Sequence, residues 1–403
     1  MSFRRFAAPF WLLGCFAALP SSARAEPYLA VRYGYKCSQC HLNPTGGGKR
    51  NSFGNIFTQT ELPWRTLSAR DLAAIVQPAV LDGGEPSDGE KTAAGSPAAP
   101  QDDGPGSTFY TGYLTRFLSL GGDVRFNNQT VARGEERTTT NTFSVAEGNL
   151  YASIELFSNV LSLYLDETMA PGGAASREAY ALLRGPWASY VKAGRMMLPF
   201  GWRLQDDSAF IREITGFNYG VQDLGVEFGL EPGPISASIA VSNGTQGSTD
   251  DNRDKQVSAI LAFIRRYWRI GAHATWNNTP QSKRIAAGAF AGLTFGRFTV
   301  LGEADRIVDE QEAVAGEPTE RKLLLYGAVT YLLARGVNLQ FTYDFADPNT
   351  AETEDSFIRL SAGVEFFATQ FTQLRAFYRF RDDTEDSIRD DESIIDFELH
   401  IFF

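Results

Sequence analysis

A two-residue alternation of apolar and polar side chains runs through the chain from about Phe109 to its C-terminus. The segment 337–344, for example, alternates Val, Leu, Phe and Tyr with Asn, Gln, Thr and Asp. This period is typical of a β-strand with one polar and one apolar face. We count about sixteen such segments, and closed bacterial membrane barrels have an even number of strands. The pattern predicts an all-β, transmembrane antiparallel β-barrel of about sixteen strands over 109–403.

The connections between these segments alternate in length. Short junctions lie near 158–159, 185–186, 232–234, 267–268, 296–297, 335–336 and 369–370, and longer ones near 128–143, 168–176, 198–220, 244–255, 277–284, 307–321, 346–355 and 382–392. Outer-membrane barrels have short periplasmic turns and long extracellular loops, whereas a soluble β-sandwich has no reason to sort its loops in this way. We therefore expect a barrel in the bacterial outer membrane, surrounded by lipid and lipopolysaccharide and wide enough for a lumen.

The composition excludes several other classes of protein. Of 403 residues, only three are cysteine, four are methionine and three are histidine, and the formal net charge is −11. A disulfide scaffold, a zinc-finger array and a multihaem cytochrome all need more cysteine or histidine. A nucleic-acid partner is not expected, because no basic surplus exists to replace phosphate counterions. No run of about 20 apolar residues follows the N-terminal segment, which excludes a bundle of membrane helices.

The first 25 residues have the pattern of a secretory signal peptide. Arg4 and Arg5 precede an apolar run over 6–19, and Ala23-Arg24-Ala25 forms a cleavage site of the small-x-small type. An alternative is a lipoprotein signal in which Cys15 is the lipidated residue. On the favoured interpretation 1–25 is removed, and the mature protein keeps only two cysteines.

Those two cysteines stand in the sequence Cys37-Ser38-Gln39-Cys40-His41. This C-x-x-C-H spacing is typical of one covalent haem c, with thioethers at Cys37 and Cys40 and His41 as the proximal iron ligand. A disulfide or a thioredoxin-like redox pair is the alternative, but neither requires the adjacent histidine. Pro44 is a candidate to support His41 through a backbone carbonyl that accepts the other ring N–H.

The residues around this motif form a small predicted α-helical monohaem module over 26–65. So short a segment does not fold alone without a staple, and covalent haem would supply one. The module has no methionine and no second histidine, so the iron is five-coordinate or takes its sixth ligand from elsewhere. The candidate sixth ligands are His273, His400, Met196 and Met197. By strand parity both histidines point into the lumen, where the alternative role is that of a solvated polar residue.

The module and the barrel are joined by a predicted short helix and flexible linker over 66–108. Ser68 and Asp71 are expected to cap the helix, which ends at Pro78. From about Leu81 the composition turns to Gly, Pro, Ser, Ala and Asp, which is typical of a linker with nothing to bury.

Two groups of connections carry charges with an expected role. The connection 198–220 resembles the inward-folded constriction loop of general and anion-selective porins, and an ordinary charged external loop is the alternative. Acidic clusters at 309–317, 347–355 and 382–392 would concentrate cations such as ferrous iron. The alternative is a solvated surface that bridges lipopolysaccharide through divalent ions.

The single C-x-x-C-H, the pattern Asn-x-Phe-Gly-x-x-Phe over 51–57, the linker and the barrel together resemble the fused outer-membrane monohaem cytochrome–porins of the iron-oxidase type. The likeness is specific in motif only over Cys37–Phe57. It implies electron transfer from an extracellular donor such as ferrous iron to a periplasmic cytochrome or other carrier, which is the activity of a ferrous iron:cytochrome oxidoreductase. It also implies a haem module beneath the barrel or inside its lumen.

Two other functions remain open from the sequence. The first is a diffusion porin whose haem module docks a periplasmic partner or senses a ligand. The second is a conduit that delivers electrons outward to an extracellular acceptor.

Overall fold

The computed structural model describes residues 26–68, 71, 109–133, 138–157, 159–250, 252–279, 282–311, 319–352, 355–383 and 392–403. The predicted signal peptide and almost all of the predicted linker lie outside this range. The hydrogen bonds expected of the predicted cap are present, since the backbone N–H of Ser68 donates to Asp71 Oδ2 at 2.8 Å and that of Asp71 donates to Ser68 Oγ at 3.2 Å. Beyond Asp71, the predicted helix, which ends at Pro78, lies outside the described residues. Among the described residues, no helix is long and apolar enough to cross a bilayer.

Sixteen antiparallel strands form one closed barrel, in which each strand pairs with its neighbours in sequence and β1 pairs with β16. The strands are β1 (Leu118–Arg133), β2 (Thr138–Phe157), β3 (Leu161–Ala170), β4 (Ala175–Arg184), β5 (Ser189–Met196), β6 (Asp223–Leu230), β7 (Ile235–Ser242), β8 (Gln256–Arg265), β9 (Trp268–Asn278), β10 (Ser282–Phe295), β11 (Phe298–Gln311), β12 (Glu320–Ala334), β13 (Val337–Asp347), β14 (Phe357–Thr369), β15 (Thr372–Asp383) and β16 (Glu392–Phe402). The predicted fold class is confirmed.

The alternation in sequence places polar side chains inside the barrel and apolar ones outside. In β13, Asn338 and Asp344 are buried, whereas Leu339 and Phe341 are exposed. The same inversion holds in β16, where Asp396 and the inward-facing His400 are buried while the alternate residues point outward. An apolar outer surface around a polar interior is the arrangement that a lipid bilayer favours.

The connections alternate only in part as predicted. At one end of the barrel all of them are short turns, and at the other end the longer loops are 197–222, 243–255, 312–319, 348–356 and 384–391. The longer loops expected near 128–143, 168–176 and 277–284 are wrong, because the strands extend further and leave only 134–137, 171–174 and 279–281 as connections.

The connection between β5 and β6 folds into the lumen. It contains a short helix, α4 (Phe210–Glu213), and buries Phe200, Trp202 and Phe210. The interpretation of this connection as an inward-folded loop is confirmed.

The N-terminal segment enters the lumen from the turn end. Its helices are α1 (Pro27–Tyr33), α2 (Cys37–Cys40) and α3 (Ser52–Thr60). The backbone of Gly34 lies against Arg266 in the β8–β9 turn, and the Trp64 N–H donates to the Phe367 carbonyl at 2.8 Å. Further inside, a Cβ at Gly47 would lie 2.8 Å from the ring of Tyr219 in the β5–β6 loop. The segment and the inward-folded loop therefore meet inside the barrel.

Candidate functional site

The C-x-x-C-H sequence forms one short helical turn that brings its three functional side chains together. Cys37 and Cys40 are the first and last residues of α2, and the His41 N–H donates to the Cys37 carbonyl at 2.9 Å. Both thiols are free and partly buried. The two cysteines and His41 line the same cavity, as their spacing predicts.

Helix α3 holds this turn in place through Asn51 and Gly54. The Asn51 amide donates to the carbonyls of Ser38 and Gln39 at 3.1 and 3.0 Å, and its Oδ1 caps α3 by accepting the Gly54 N–H at 2.9 Å. A Cβ at Gly54 would lie 2.1 Å from the Cys40 carbonyl oxygen. The glycine of the Asn-x-Phe-Gly pattern is therefore required where α3 crosses α2.

The loop after His41 fastens the segment to the barrel wall. Gly46, Gly47 and Gly48 all have positive φ, which a glycine adopts without strain. The buried amide of Asn43 donates to Glu178 and accepts from Lys192 Nζ at 3.2 Å. The three glycines thus shape a loop whose polar contacts reach β4 and β5.

The cavity beside the motif lies between the segment, the inward-folded loop and the barrel wall. Its empty volume is about 1330 Å³, part of which is open to solvent. Phe57 lines it from α3, Phe200 and Trp202 line it from the loop, and Ile260 and Phe290 line it from the wall. A large and mainly apolar chamber next to two thiols and an imidazole fits a covalently held porphyrin.

The His41 ring is buried, and its Nδ1 has no hydrogen-bond partner in the described part of the chain. Burial lowers the pKa of His41 to about 4, while the backbone at Gly48 and Gly47 acts in the opposite direction. The ring is therefore neutral near pH 7, as a metal-ligating imidazole must be. Pro44 lines the cavity, and its support of His41 through a backbone carbonyl stays a prediction.

Four cations line the same cavity: Lys36, Arg50, Arg203 and Arg269. Within the described residues, none of the four forms an ion pair with a carboxylate. The Arg50 guanidinium lies 4.6 Å above the ring of Phe402, and burial lowers the pKa of this arginine. Arg203 and Arg269 donate instead to the backbone carbonyls of Leu198 and Tyr35. The carboxylate of Glu26 lines the same cavity, and its charge raises the pKa of Arg50 against the effect of burial. Haem carries two propionate groups, and cations that form no ion pair with a carboxylate suit such an anionic ligand.

The four candidate sixth ligands lie elsewhere, since none of them is among the described residues that line the cavity. His400 Nδ1 is 2.7 Å from Gln373 Oε1, and His273 Nε2 is 2.6 Å from Asp305 Oδ1. Met197 and His273 each contact residues that line the cavity, because Arg203 donates to Met197 Sδ at 2.7 Å and the ring of Phe200 lies 4.1 Å from the His273 ring. Met196 is fully buried beside the tyrosines of β3 and β4.

The sequence did not indicate that the cavity cations and most of the aromatic wall lie beside the motif. Arg269 and Trp202 lie more than 150 residues from it along the chain, and no local pattern relates them to it. One signal was readable, because Arg50 immediately precedes the Asn51 cap of α3 in a segment already assigned to the haem module.

No protein-family model matches this chain. No curated protein matches it in sequence.

Solved structures of outer-membrane channels do resemble it. An anion-selective porin from Comamonas acidovorans superposes with a TM-score of 0.58 at 10% identity, covering 71% of this chain and 99% of that one. Outer-membrane expressed OmpT of Vibrio cholerae gives a TM-score of 0.55 at 12% identity, covering 72% and 99%. The channel DcaP of Acinetobacter baumannii gives 0.51 at 12% identity, covering 71% and 97%. The chain has the fold of a porin-like outer-membrane barrel.

The close crossing of α2 and α3 predicts the effect of one added methyl group. Gly54→Ala places a carbon against the Cys40 carbonyl, so the helices must separate and expose the adjoining Lys49–Arg50 segment, in which both side chains are largely buried. We expect trypsin to cleave there several-fold faster than in the unaltered protein, measured by mass spectrometry of the detergent-solubilised chain. Gly327→Ala is the control, because no atom lies within 4 Å of its added carbon. Equal cleavage rates in the two variants would contradict the packing described for Gly54.

Proposed function

We propose that this chain is an outer-membrane electron-transfer protein, a porin-like barrel that holds one covalent haem c in its lumen. Its electrons come from an extracellular donor such as ferrous iron and go to a periplasmic cytochrome or other carrier. The supporting observation is that Cys37, Cys40 and His41 face one large chamber enclosed by the barrel wall and the inward-folded loop. The activity is that of a ferrous iron:cytochrome oxidoreductase.

Each part of the chamber has a task in this proposal. The thiols of Cys37 and Cys40 would form the thioethers to haem, and the neutral imidazole of His41 would be the proximal ligand. Haem iron, when bound, supplies one-electron chemistry whose potential depends on its ligands and on burial. Phe57, Phe200 and the other apolar wall residues exclude water, and the unpaired cations balance the two propionates.

The position of the segment also favours electron transfer. A single haem is far smaller than the hydrocarbon layer of about 30 Å, so a haem hanging below the barrel would leave the membrane uncrossed. The N-terminal segment lies inside the lumen instead, and it meets a loop that enters from the opposite end. That arrangement shortens the distance that an electron must cover on either side of the cofactor.

A diffusion porin is the second candidate, and the fold favours it because the structural neighbours include an anion-selective porin. The observation against a diffusion porin is that the N-terminal segment and the β5–β6 loop occupy the described lumen from both ends. An outward conduit requires the same chamber, so only the direction of electron flow separates it from the first proposal.

Haem attachment tests the proposal directly. We expect the full chain, expressed with a cytochrome c maturation system, to give a haem-stained band on a denaturing gel and one haem per chain by pyridine haemochrome. Cys37→Ser combined with Cys40→Ser should abolish the stain. Ser38→Ala changes the same tetrapeptide without touching a thiol and should keep it. An unstained wild-type band would reject the proposal.

The donor is tested by stopped-flow spectroscopy of the oxidised, haem-loaded protein in detergent. Ferrous iron should produce the reduced haem spectrum anaerobically, and dithionite is the control that defines full reduction. If dithionite reduces the haem and ferrous iron does not, ferrous iron is rejected as the donor. Rapid reoxidation of the dithionite-reduced protein by an extracellular acceptor would then favour the outward conduit.

Solute permeation separates electron transfer from diffusion. Because the N-terminal segment and the β5–β6 loop fill the lumen, liposomes containing the full chain should swell in small sugars no faster than protein-free liposomes. Liposomes with a general diffusion porin serve as the positive control. Swelling at the rate of that control would favour the diffusion porin over the plugged barrel.

A further inference from the structure

A histidine on β9 and two carboxylates on β11 lie together on the lumen wall, on either side of β10. His273 on β9, Glu303 on β11 and Asp305 on β11 each offer one ligand atom, and these atoms all lie within 4.8 Å of one another. His273 Nε2 is 2.6 Å from Asp305 Oδ1 and 3.9 Å from Glu303 Oε1. The three side chains are completely buried. None of them belongs to the N-terminal segment.

Two glycines make the room in which this cluster forms. Gly288 on β10 pairs with His273 on one side and Asp305 on the other. A Cβ at Gly288 would lie 2.0 Å from Asp305 Oδ1 and 2.6 Å from His273 Nε2. A Cβ at Gly201 in the inward-folded loop would lie 1.9 Å from Glu303 Oε1. Any larger residue at either position would push a carboxylate out of the cluster.

Each side chain of the cluster has one polar atom that is hydrogen-bonded and one that has no partner in the described part of the chain. Within the described residues, Glu303 Oε1, Asp305 Oδ2 and His273 Nδ1 are buried without hydrogen-bond partners. Glu303 Oε1 is directed at the shared space, because its carboxylate is held from the other side by the Trp202 N–H, 2.5 Å from Oε2. Buried carboxylates side by side are costly unless a cation lies between them, and buried charges are commonly paired or bound to metals. Arg212, which donates to the Phe200 carbonyl, is the nearby protein cation but forms no ion pair with these carboxylates in the described chain.

We propose that His273, Glu303 and Asp305 bind one divalent first-row transition-metal ion in the lumen. One imidazole and two carboxylates form a donor set suited to ions such as Fe²⁺, Mn²⁺, Co²⁺ and Zn²⁺. Two negative charges and a neutral ring also balance a divalent cation. The site uses no residue of the C-x-x-C-H segment, and it assigns His273 to this ion in place of the candidate role as sixth haem ligand.

The cluster lies between two cavities of different character. The ring of Phe200 is 4.1 Å from the His273 ring, centroid to centroid, and Phe200 and Phe290 line the chamber beside the cysteines. In the opposite direction along β9, Thr275 and Asn277 line a polar cavity of about 460 Å³ near the loop end. An ion that enters from the loop end would therefore reach the cluster before the aromatic wall.

Cobalt is a suitable probe, because its d–d absorption reports the ligands directly. We expect the full chain, freed of metal by chelation, to bind one Co²⁺ per molecule, measured by optical titration in detergent and by elemental analysis after gel filtration. The isosteric changes Glu303→Gln and Asp305→Asn should each weaken binding by at least about tenfold, the range seen when even supporting carboxylates are lost from metal sites.

Asp344→Asn is the matched control, because Asp344 is also a completely buried carboxylate of the lumen wall but pairs with Arg359 at 3.0 Å, outside the cluster. It should leave Co²⁺ binding unchanged. Circular dichroism and the heat-dependent gel mobility of barrel proteins verify that each variant is folded. Wild-type protein that binds no Co²⁺, or folded Glu303→Gln and Asp305→Asn variants that bind it as wild type does, would overturn the proposal.

Discussion

The seam between the first and last strands is the constraint on which the structure depends. β1 and β16 pair from Asp123↔Phe402 to Arg133↔Glu392, and Arg125 Nη1 meets Glu398 Oε1 at 2.6 Å on the lumen side of that seam. In hydrocarbon an unpaired strand edge has no water to bond to, so the sheet must close on itself. Closure directs the polar faces of the strands inward and encloses a lumen. The lumen wall can then complete the chamber, because the short N-terminal segment is too small to build one alone.

The N-terminal segment and the β5–β6 loop both use polar lumen groups as anchors. Asn43 bonds Glu178 and Lys192 from below, while the Phe210 N–H donates to Asp344 Oδ1 at 3.1 Å from above. These contacts hold the N-terminal segment and the β5–β6 loop, both largely irregular in structure, against the rigid barrel wall. A rigid scaffold can position functional groups on irregular backbone in this way. The chamber therefore has walls from three separate parts of the chain.

Strand number and the face on which each residue lies were predictable because they depend on local alternation, whereas three of the eight expected long loops are as short as the turns. Parity alone placed His273 and His400 inside the lumen, and both are there. The residues that line the chamber were not predictable. Parity gives the direction in which a side chain points, but not its position along the barrel axis or the residue that faces it across the lumen. Gly47 contacts Tyr219, and Arg269 donates to the Tyr35 carbonyl, only because the closed barrel surrounds the segment. Glu303 and Asp305 were likewise readable as inward-facing, whereas their meeting with His273 across Gly288 depends on the register of three strands.

The distribution of paired and unpaired charge inside the barrel separates structural groups from binding groups. Along the wall, Arg177 pairs with Asp166 at 2.7 Å, Lys192 with Glu227 at 3.0 Å and Arg359 with Asp344 at 3.0 Å. A buried charge without a partner is costly, so a wall built in this way is stable without any ligand. Among the described residues, the cations around the cysteine chamber form no ion pair with a carboxylate, and the carboxylates beside His273 form none with an arginine or a lysine. The proposed haem propionates and metal ion would each supply the missing counter-charge.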